Sequence, residues 1–162
     1  MLLATSRLTL REATAHDARE IAGYQRDPRY LEHYPVAPDA ERITQLSREW
    51  ASESPRLNFQ LIVTLSEGGL VIGCAGLRQK GQRRGEAEIG IEFNPHYWGA
   101  GYAKEAITKL IEFAREDLGI HRLIAVTTSE NTRAESLVRS FGFLQDSSAN
   151  GEVRYHLAVV SA

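Results

Sequence analysis

Residues 93–106 read Phe-Asn-Pro-His-Tyr-Trp-Gly-Ala-Gly-Tyr-Ala-Lys-Glu-Ala. An alternating run ends at Phe93 and a short loop follows. Over residues 101–117 the apolar side chains Ala103, Ala106, Ile107, Leu110, Ile111 and Ala114 then recur every three or four positions. That spacing predicts a strand, a tight turn of small residues and a long amphipathic helix. Gly99, Gly101 and Ala103 let the backbone come close to another group. The helix start adds unpaired N–H groups and a partial positive charge. Together these suit a phosphate or diphosphate. A Walker loop would end in Gly-Lys-Ser/Thr, which is not present here. A dinucleotide fingerprint would need glycine where Lys104 stands.

Upstream, residues 7–12 (RLTLRE) alternate polar and apolar, as a half-buried strand does. Thr14 offers an N-cap, with Asp17 in the first turn, for a helix running to about Tyr24. Residues 25–40 hold three prolines and two tyrosines and read as a loop or broken helix. A helix follows over residues 39–52, with Ile43, Leu46 and Trp50 on one face. Residues 58–65 (NFQLIVTL) and 70–77 (LVIGCAGL) flank the turn Ser66-Glu67-Gly68-Gly69 and predict a hairpin. Residues 86–93 (EAEIGIEF) add a third antiparallel strand. After the long helix come a buried strand at 122–128, a short helix at 132–140 and a last strand at 153–160, with a further short strand near Phe143. The order is that of an α/β fold: a mixed, mostly antiparallel central sheet flanked by helices.

The chain has 162 residues, 43% hydrophobic and 25% charged, with a net charge of −2. This is the size of one domain able to bury a core without staples, so residues 1–162 are expected to form one domain. The charge balance argues against general nucleic-acid binding. One cysteine, Cys74, forbids an intrachain disulfide and fits a reducing compartment. Residues 1–13 do not resemble a signal or transit peptide, and no run approaches a membrane span. A cytoplasmic protein is expected. The five histidines lack metal-ligand spacing, so no metal site is expected.

Trp98-Gly99-Ala100-Gly101-Tyr102-Ala103 resembles the acetyl-coenzyme A loop of the GNAT acetyltransferases, written Q/R-x-x-G-x-G/A, but has Trp98 at the first position. The form Tyr-Trp-Gly-x-Gly-Tyr-Ala-x-Glu-Ala is similar to the RimJ/RimL-type N-acetyltransferases. The opening Ser6-Arg7-Leu8-Thr9-Leu10-Arg11, the central Ala87-Glu88-Ile89-Gly90-Ile91, and Asn131 followed by Phe141-Gly142-Phe143 resemble that branch in order and spacing. The resemblance implies a GNAT-like sheet with a splayed cofactor slot and acetyl-CoA as cosubstrate. It implies that Ile91, Glu92 and Phe93 hold the acetyl and pantetheine end through their backbone. It further implies that Gly99, Ala100, Gly101, Tyr102, Ala103 and Lys104 wrap the diphosphate and that Asn131 bonds the pantetheine arm. A helix cap is the alternative role for Asn131.

The implied reaction is acyl transfer from a thioester to an amine. The amine must lose a proton and the carbonyl oxygen needs N–H donors. Glu86, Glu88, Gly90 and Glu92 share one face of a regular strand. We take Glu88 as the base, directly or through water, and read Glu86 and Glu92 as salt-bridging residues. Where relatives carry a tyrosine or serine as acid, this chain has Val138 and Ala134. Ser136 is the nearest substitute, and a thiol with a pKa of roughly 8.5 can also depart as thiolate. Tyr30, His33 and Tyr34 would wall the acceptor pocket, unless they only pack their loop onto the sheet.

A protein α-amine titrates about 2.5 units below lysine, which makes it roughly 3.4 kcal/mol easier to deprotonate. A protein N-terminus of the ribosomal-protein type is therefore the expected acceptor. A polyamine or antibiotic acceptor, or a non-catalytic acyl-CoA-binding module, are the alternatives. Edge strands and the last strand offer pairing surfaces for a homodimer. The basic turn at 78–84 reads as a charged hairpin tip, or as a contact for ribosomal RNA or an acidic peptide.

Overall fold

The computed structural model describes residues 1–34 and 39–160. Eight strands form one sheet in the order β1-β2-β3-β4-β5-β6-β8-β7. These are β1 (Leu2–Ala4), β2 (Leu8–Arg11), β3 (Asn58–Leu65), β4 (Val71–Arg78), β5 (Glu86–Phe93), β6 (Arg122–Thr128), β7 (Leu144–Ala149) and β8 (Glu152–Ala158). Every pairing is antiparallel except β5 with β6. The helices are α1 (Asp17–Gln25), α2 (Pro28–Leu31), α3 (Ala40–Ala51), α4 (Tyr102–Glu116) and α5 (Thr132–Ser140).

The sheet buries both faces, so β3 and β4 read as nearly continuous apolar runs. Leu61, Leu77, Ile89 and Phe93 meet Ile107, Leu110 and Phe113 of α4 on one face. Ile62 and Cys74 meet Ile21, Tyr24 and Tyr30 on the other. The α4 helix forms because its apolar stripe matches the helical period. It begins at Gly101, whose φ of 82° is left-handed and suits glycine.

Local details differ from the sequence reading. His16, not Thr14, precedes α1, and it makes no side-chain cap. The Asp17 carboxylate instead accepts from the Thr14 amide at 2.6 Å. In α3 the buried residues are Ala40, Thr44 and Ser47, while Ile43, Leu46 and Trp50 are half-buried. The reason is polar: the Ser47 hydroxyl accepts from the Ala13 amide at 2.9 Å. The broken segment contains the short helix α2, and residues 35–38 of the expected acceptor loop lie outside the described residues. Strand β1 was not foreseen. The last strand, β8, is paired on both sides within the chain, so it offers no edge to a second copy. The edges are β1 and β7.

Candidate active site

The site begins where two parallel strands separate. The β5–β6 register runs Glu86↔Arg122, Ala87↔Leu123, Glu88↔Ile124 and then stops. Beyond it β5 stays paired to β4 as far as Phe93, and β6 stays paired to β8 as far as Thr128. A wedge-shaped slot therefore opens beside residues 89–93. The amide of Asn94 donates to the Ile72 carbonyl on β4 at 2.8 Å. Antiparallel alternation then turns the even residues of β5 toward β4 and the peptide groups of Ile89, Ile91 and Phe93 toward the slot. The Glu92 peptide faces β4, so this residue reaches the site through its side chain.

At the slot's end the chain turns through Asn94 and the short 3-10 helix Pro95–Tyr97. Gly99 and Gly101 both have φ of 82°. The first helical bond is from the Glu105 amide to the Gly101 carbonyl at 3.0 Å. Among the described residues, the amides of residues 99–104 donate to no protein acceptor. This is the bare helix start that an anion can fill. Trp98 donates from Nε1 to the Phe93 carbonyl at 3.1 Å. That bond occupies the Phe93 oxygen and leaves its N–H facing the slot. It also gives a physical role to the residue that departs from the Q/R pattern. Arg133 of α5 lies over the Trp98 ring at 4.4 Å, joining the two walls of the slot.

The turn is held from below by the N-terminal segment. Arg7 donates from its guanidinium to the Ala100 carbonyl at 2.9 Å and to the Glu105 carboxylate at 2.7 Å. Its amide and the Thr5 hydroxyl also donate to Glu105, at 2.9 and 2.5 Å. Burial pushes the Glu105 carboxyl up. The bonds from Thr5 and Arg7 and the Arg7 charge outweigh that and hold it at about 2. Sequence reasoning passed over Arg7, Glu105 and Arg133 as site residues. The signal available for the first two was their presence in the opening and turn motifs.

A cavity of about 770 Å³ collects every candidate residue named from the sequence except Ala100. Lys104 is exposed beside the turn. Asn131 caps α5, its side-chain oxygen accepting from the Ala134 amide at 3.0 Å, and it also lines the cavity. Ser136, on α5, is exposed at the cavity wall. Glu88 is half-buried and faces Arg78 across the strands at 3.8 Å. Glu86 is buried and lies 3.4 Å from Arg122. Arg78, the first residue of the basic turn, points back to Glu88 and to Gln60.

Glu92 differs from the other two carboxylates. It accepts from the Tyr30 hydroxyl at 2.5 Å and from Gln25 Nε2 at 3.5 Å. Burial is the largest influence on it and raises its pKa against hydrogen bonds from Tyr30, Gln25, Tyr24 and Cys74. Tyr30 is only 1% exposed, and its ring stacks on Tyr34 at 4.6 Å. Burial also pushes up the Tyr24 hydroxyl and the Cys74 thiol. Among the described residues no cluster of His, Cys, Asp and Glu could hold a metal ion. No described helix is long and apolar enough to cross a membrane.

Residues 7–144 match the family model of the acetyltransferase (GNAT) domain. The chain belongs to the GNAT acetyltransferases. The N-acetyltransferase p20 of Bacillus licheniformis is 32% identical over 149 residues, spanning 89% of this chain and 83% of p20. Two solved structures share the fold. One, from Vibrio cholerae, is assigned as a ribosomal-protein-serine acetyltransferase; it has a TM-score of 0.83 at 23% identity and covers 98% of this chain and 97% of its own. The other is the spermidine N-acetyltransferase of Vibrio cholerae with CoA and spermine. Its TM-score is 0.75 at 20% identity, covering 96% and 97%.

This GNAT chain is thus an N-acetyltransferase that uses acetyl-CoA and an amine acceptor. Its own residues fit that donor. The strand splay admits an extended arm, and the bare amides of residues 99–104 match a diphosphate. Among the described residues, the cavity lining carries three cations, Arg78, Lys104 and Arg133, against two carboxylates, Glu88 and Glu92.

Proposed function

We propose that this GNAT acetyltransferase transfers the acetyl group of acetyl-CoA to a protein N-terminal α-amine, as RimJ/RimL-type enzymes do, by direct attack in a ternary complex. The cavity's charge balance carries this reading. A polyamine presents several ammonium groups, each wanting a carboxylate, whereas the lining offers two acids, one facing Arg78. Residues 35–38, Pro-Val-Ala-Pro, add no charge. One α-ammonium group suits such a site better than a chain of them.

The amides of Ile91 and Phe93 polarise the thioester carbonyl, acting where charge builds on its oxygen. The turn at 99–104 and Lys104 hold the diphosphate. Asn131 bonds the pantetheine arm while capping α5. Glu88 takes the proton from the acceptor amine through water. The thiolate either leaves unprotonated or takes a proton from Ser136. Tyr30, His33 and Tyr34 wall the acceptor end. The ribosomal-protein assignment of one structural neighbour agrees with this acceptor, and the spermidine acetyltransferase among the neighbours supplies the competing one.

Thiol release from acetyl-CoA, measured over a panel of free-N-terminus peptides, spermidine and aminoglycosides, tests the reading. Peptides are expected to show the highest kcat/KM, and Glu88→Gln to lower kcat while calorimetry finds an unchanged Kd for CoA. Preference for spermidine would transfer the activity to the polyamine class. CoA binding without thiol release on any amine would make the chain a binding module.

A further inference from the structure

Glu92 lies between Ile91 and Phe93, whose peptide groups face the slot. Its side chain projects to the opposite face of the sheet and lines the acceptor end of the same cavity. Of the two carboxylates that line it, this one is closest along the strand to the amides that polarise the thioester. Glu88 stands four residues away, about 13 Å along an extended strand, so one amine nitrogen cannot touch both.

Among the described residues, the groups that hydrogen-bond Glu92 are uncharged. Tyr30 donates to Oε2 at 2.5 Å and Gln25 approaches Oε1 at 3.5 Å. Tyr24 and Cys74, 3.5 Å from each other, complete the shell. The cations lining the cavity are engaged elsewhere: Arg78 faces Glu88, Arg133 covers Trp98, and Lys104 stands at the phosphate turn. Glu92 is half-buried, and a carboxyl partly withdrawn from water without an opposite charge is costly, so natural proteins seldom keep one without a reason. Two hydrogen bonds nonetheless favour its charged form and fix its direction. Tyr30 is fully buried, so its hydroxyl is held in place rather than free to follow a ligand. Tyr34, half-buried and stacked on Tyr30, stands beside it, and aromatic faces attract cations.

We infer that Glu92, oriented by Tyr30 and Gln25, docks the ammonium group of the acceptor and so selects positively charged amines over neutral ones. The inference rests on the amine-acetylating activity proposed above and divides the work of two carboxylates. Glu92 supplies the counter-charge that places the nitrogen beside the carbonyl. Glu88, four residues back along β5, receives the proton through a chain of waters. Tyr30 is a positioning residue: it acts through Glu92.

The test compares wild type with Glu92→Gln on three acceptors: a peptide with a free N-terminal alanine, spermidine, and hydroxylamine, which is uncharged at neutral pH. The variant is expected to raise KM for a cationic acceptor about tenfold or more, the loss of one charge-assisted contact. KM for hydroxylamine and the Kd for CoA should stay at wild-type values. Tyr30→Phe should move the cationic acceptor in the same direction by a smaller factor. An unchanged KM for the cationic acceptor, or an equal rise for hydroxylamine, overturns the inference and leaves the proposed activity standing. If wild type releases no thiol with any of the three, the proposed activity fails and the inference falls with it. Should Glu92→Gln lose CoA binding, Tyr30→Phe decides: a rise confined to cationic acceptors supports the docking role, and an unchanged KM overturns it.

Discussion

Glu105→Gln probes the pin beneath the turn at residues 99–104, which we propose holds the diphosphate. Glu105 stands in the first turn of α4, where a carboxylate is favoured by the helix but would repel a bound diphosphate. Arg7 resolves that conflict by pairing with it and by holding the Ala100 carbonyl. The carboxyl sits at about 2 against an ordinary 4.5. A difference of roughly 2.5 units corresponds to about 3.4 kcal/mol at most. The Glu105 side chain is 17% exposed but Arg7 is 44% exposed, so solvent screens the pair. That lowers the expected contribution to roughly 1–1.5 kcal/mol.

The sign follows from a folded-state pKa below the unfolded one. The stabilisation is fully present above about pH 4.5 and is lost as pH falls toward about 2. At neutral pH the variant should therefore melt about 2–6 °C below wild type, given roughly 2–4 °C per kcal/mol at this size. Scanning calorimetry from pH 7 to pH 2.5 should show the gap narrowing below pH 4.5. Equal melting temperatures at pH 7, or a gap that widens in acid, would refute the pin.

Two other positions give sharp outcomes. Gly101→Ala places a side chain at φ of 82°; its Cβ would meet Arg7 at an ordinary 3.5 Å, so strain rather than collision should cost about 1–2 kcal/mol. Denaturant unfolding reads the cost, and the Kd for CoA should rise with it. Cys74, buried with its thiol pushed up, should resist a thiol-specific reagent in the native protein and react once unfolded; rapid native labelling would contradict its burial.

The fold was legible wherever periodicity and punctuation agreed. Residues 58–65, 86–93, 122–128 and 132–140 have the predicted bounds, because alternating or continuous apolar runs end at turn residues there. The motif at 93–106 also located the turn, since glycine at a positive φ leaves a sequence mark. Contacts between distant segments leave none. Ser47 is buried because Ala13 needs an acceptor, and Arg7 reaches Glu105 across 98 positions. The same limit held for the carboxylates of β5. Alternation placed Glu86, Glu88 and Glu92 on one face, yet only the packing of Tyr30 and Gln25 shows that Glu92 meets neutral partners while Glu86 and Glu88 face arginines. Asn131 is the cap of α5 and also lines the cavity, and the oxygen that makes the cap leaves its amide nitrogen free of that bond.

Amide hydrogen exchange with and without CoA addresses the donor site most directly. On addition of CoA the N–H groups of residues 99–104, together with those of Ile91 and Phe93, should gain protection well beyond the rest of the chain. Unaltered exchange at these amides in a protein saturated with CoA would place the donor elsewhere and contradict the account.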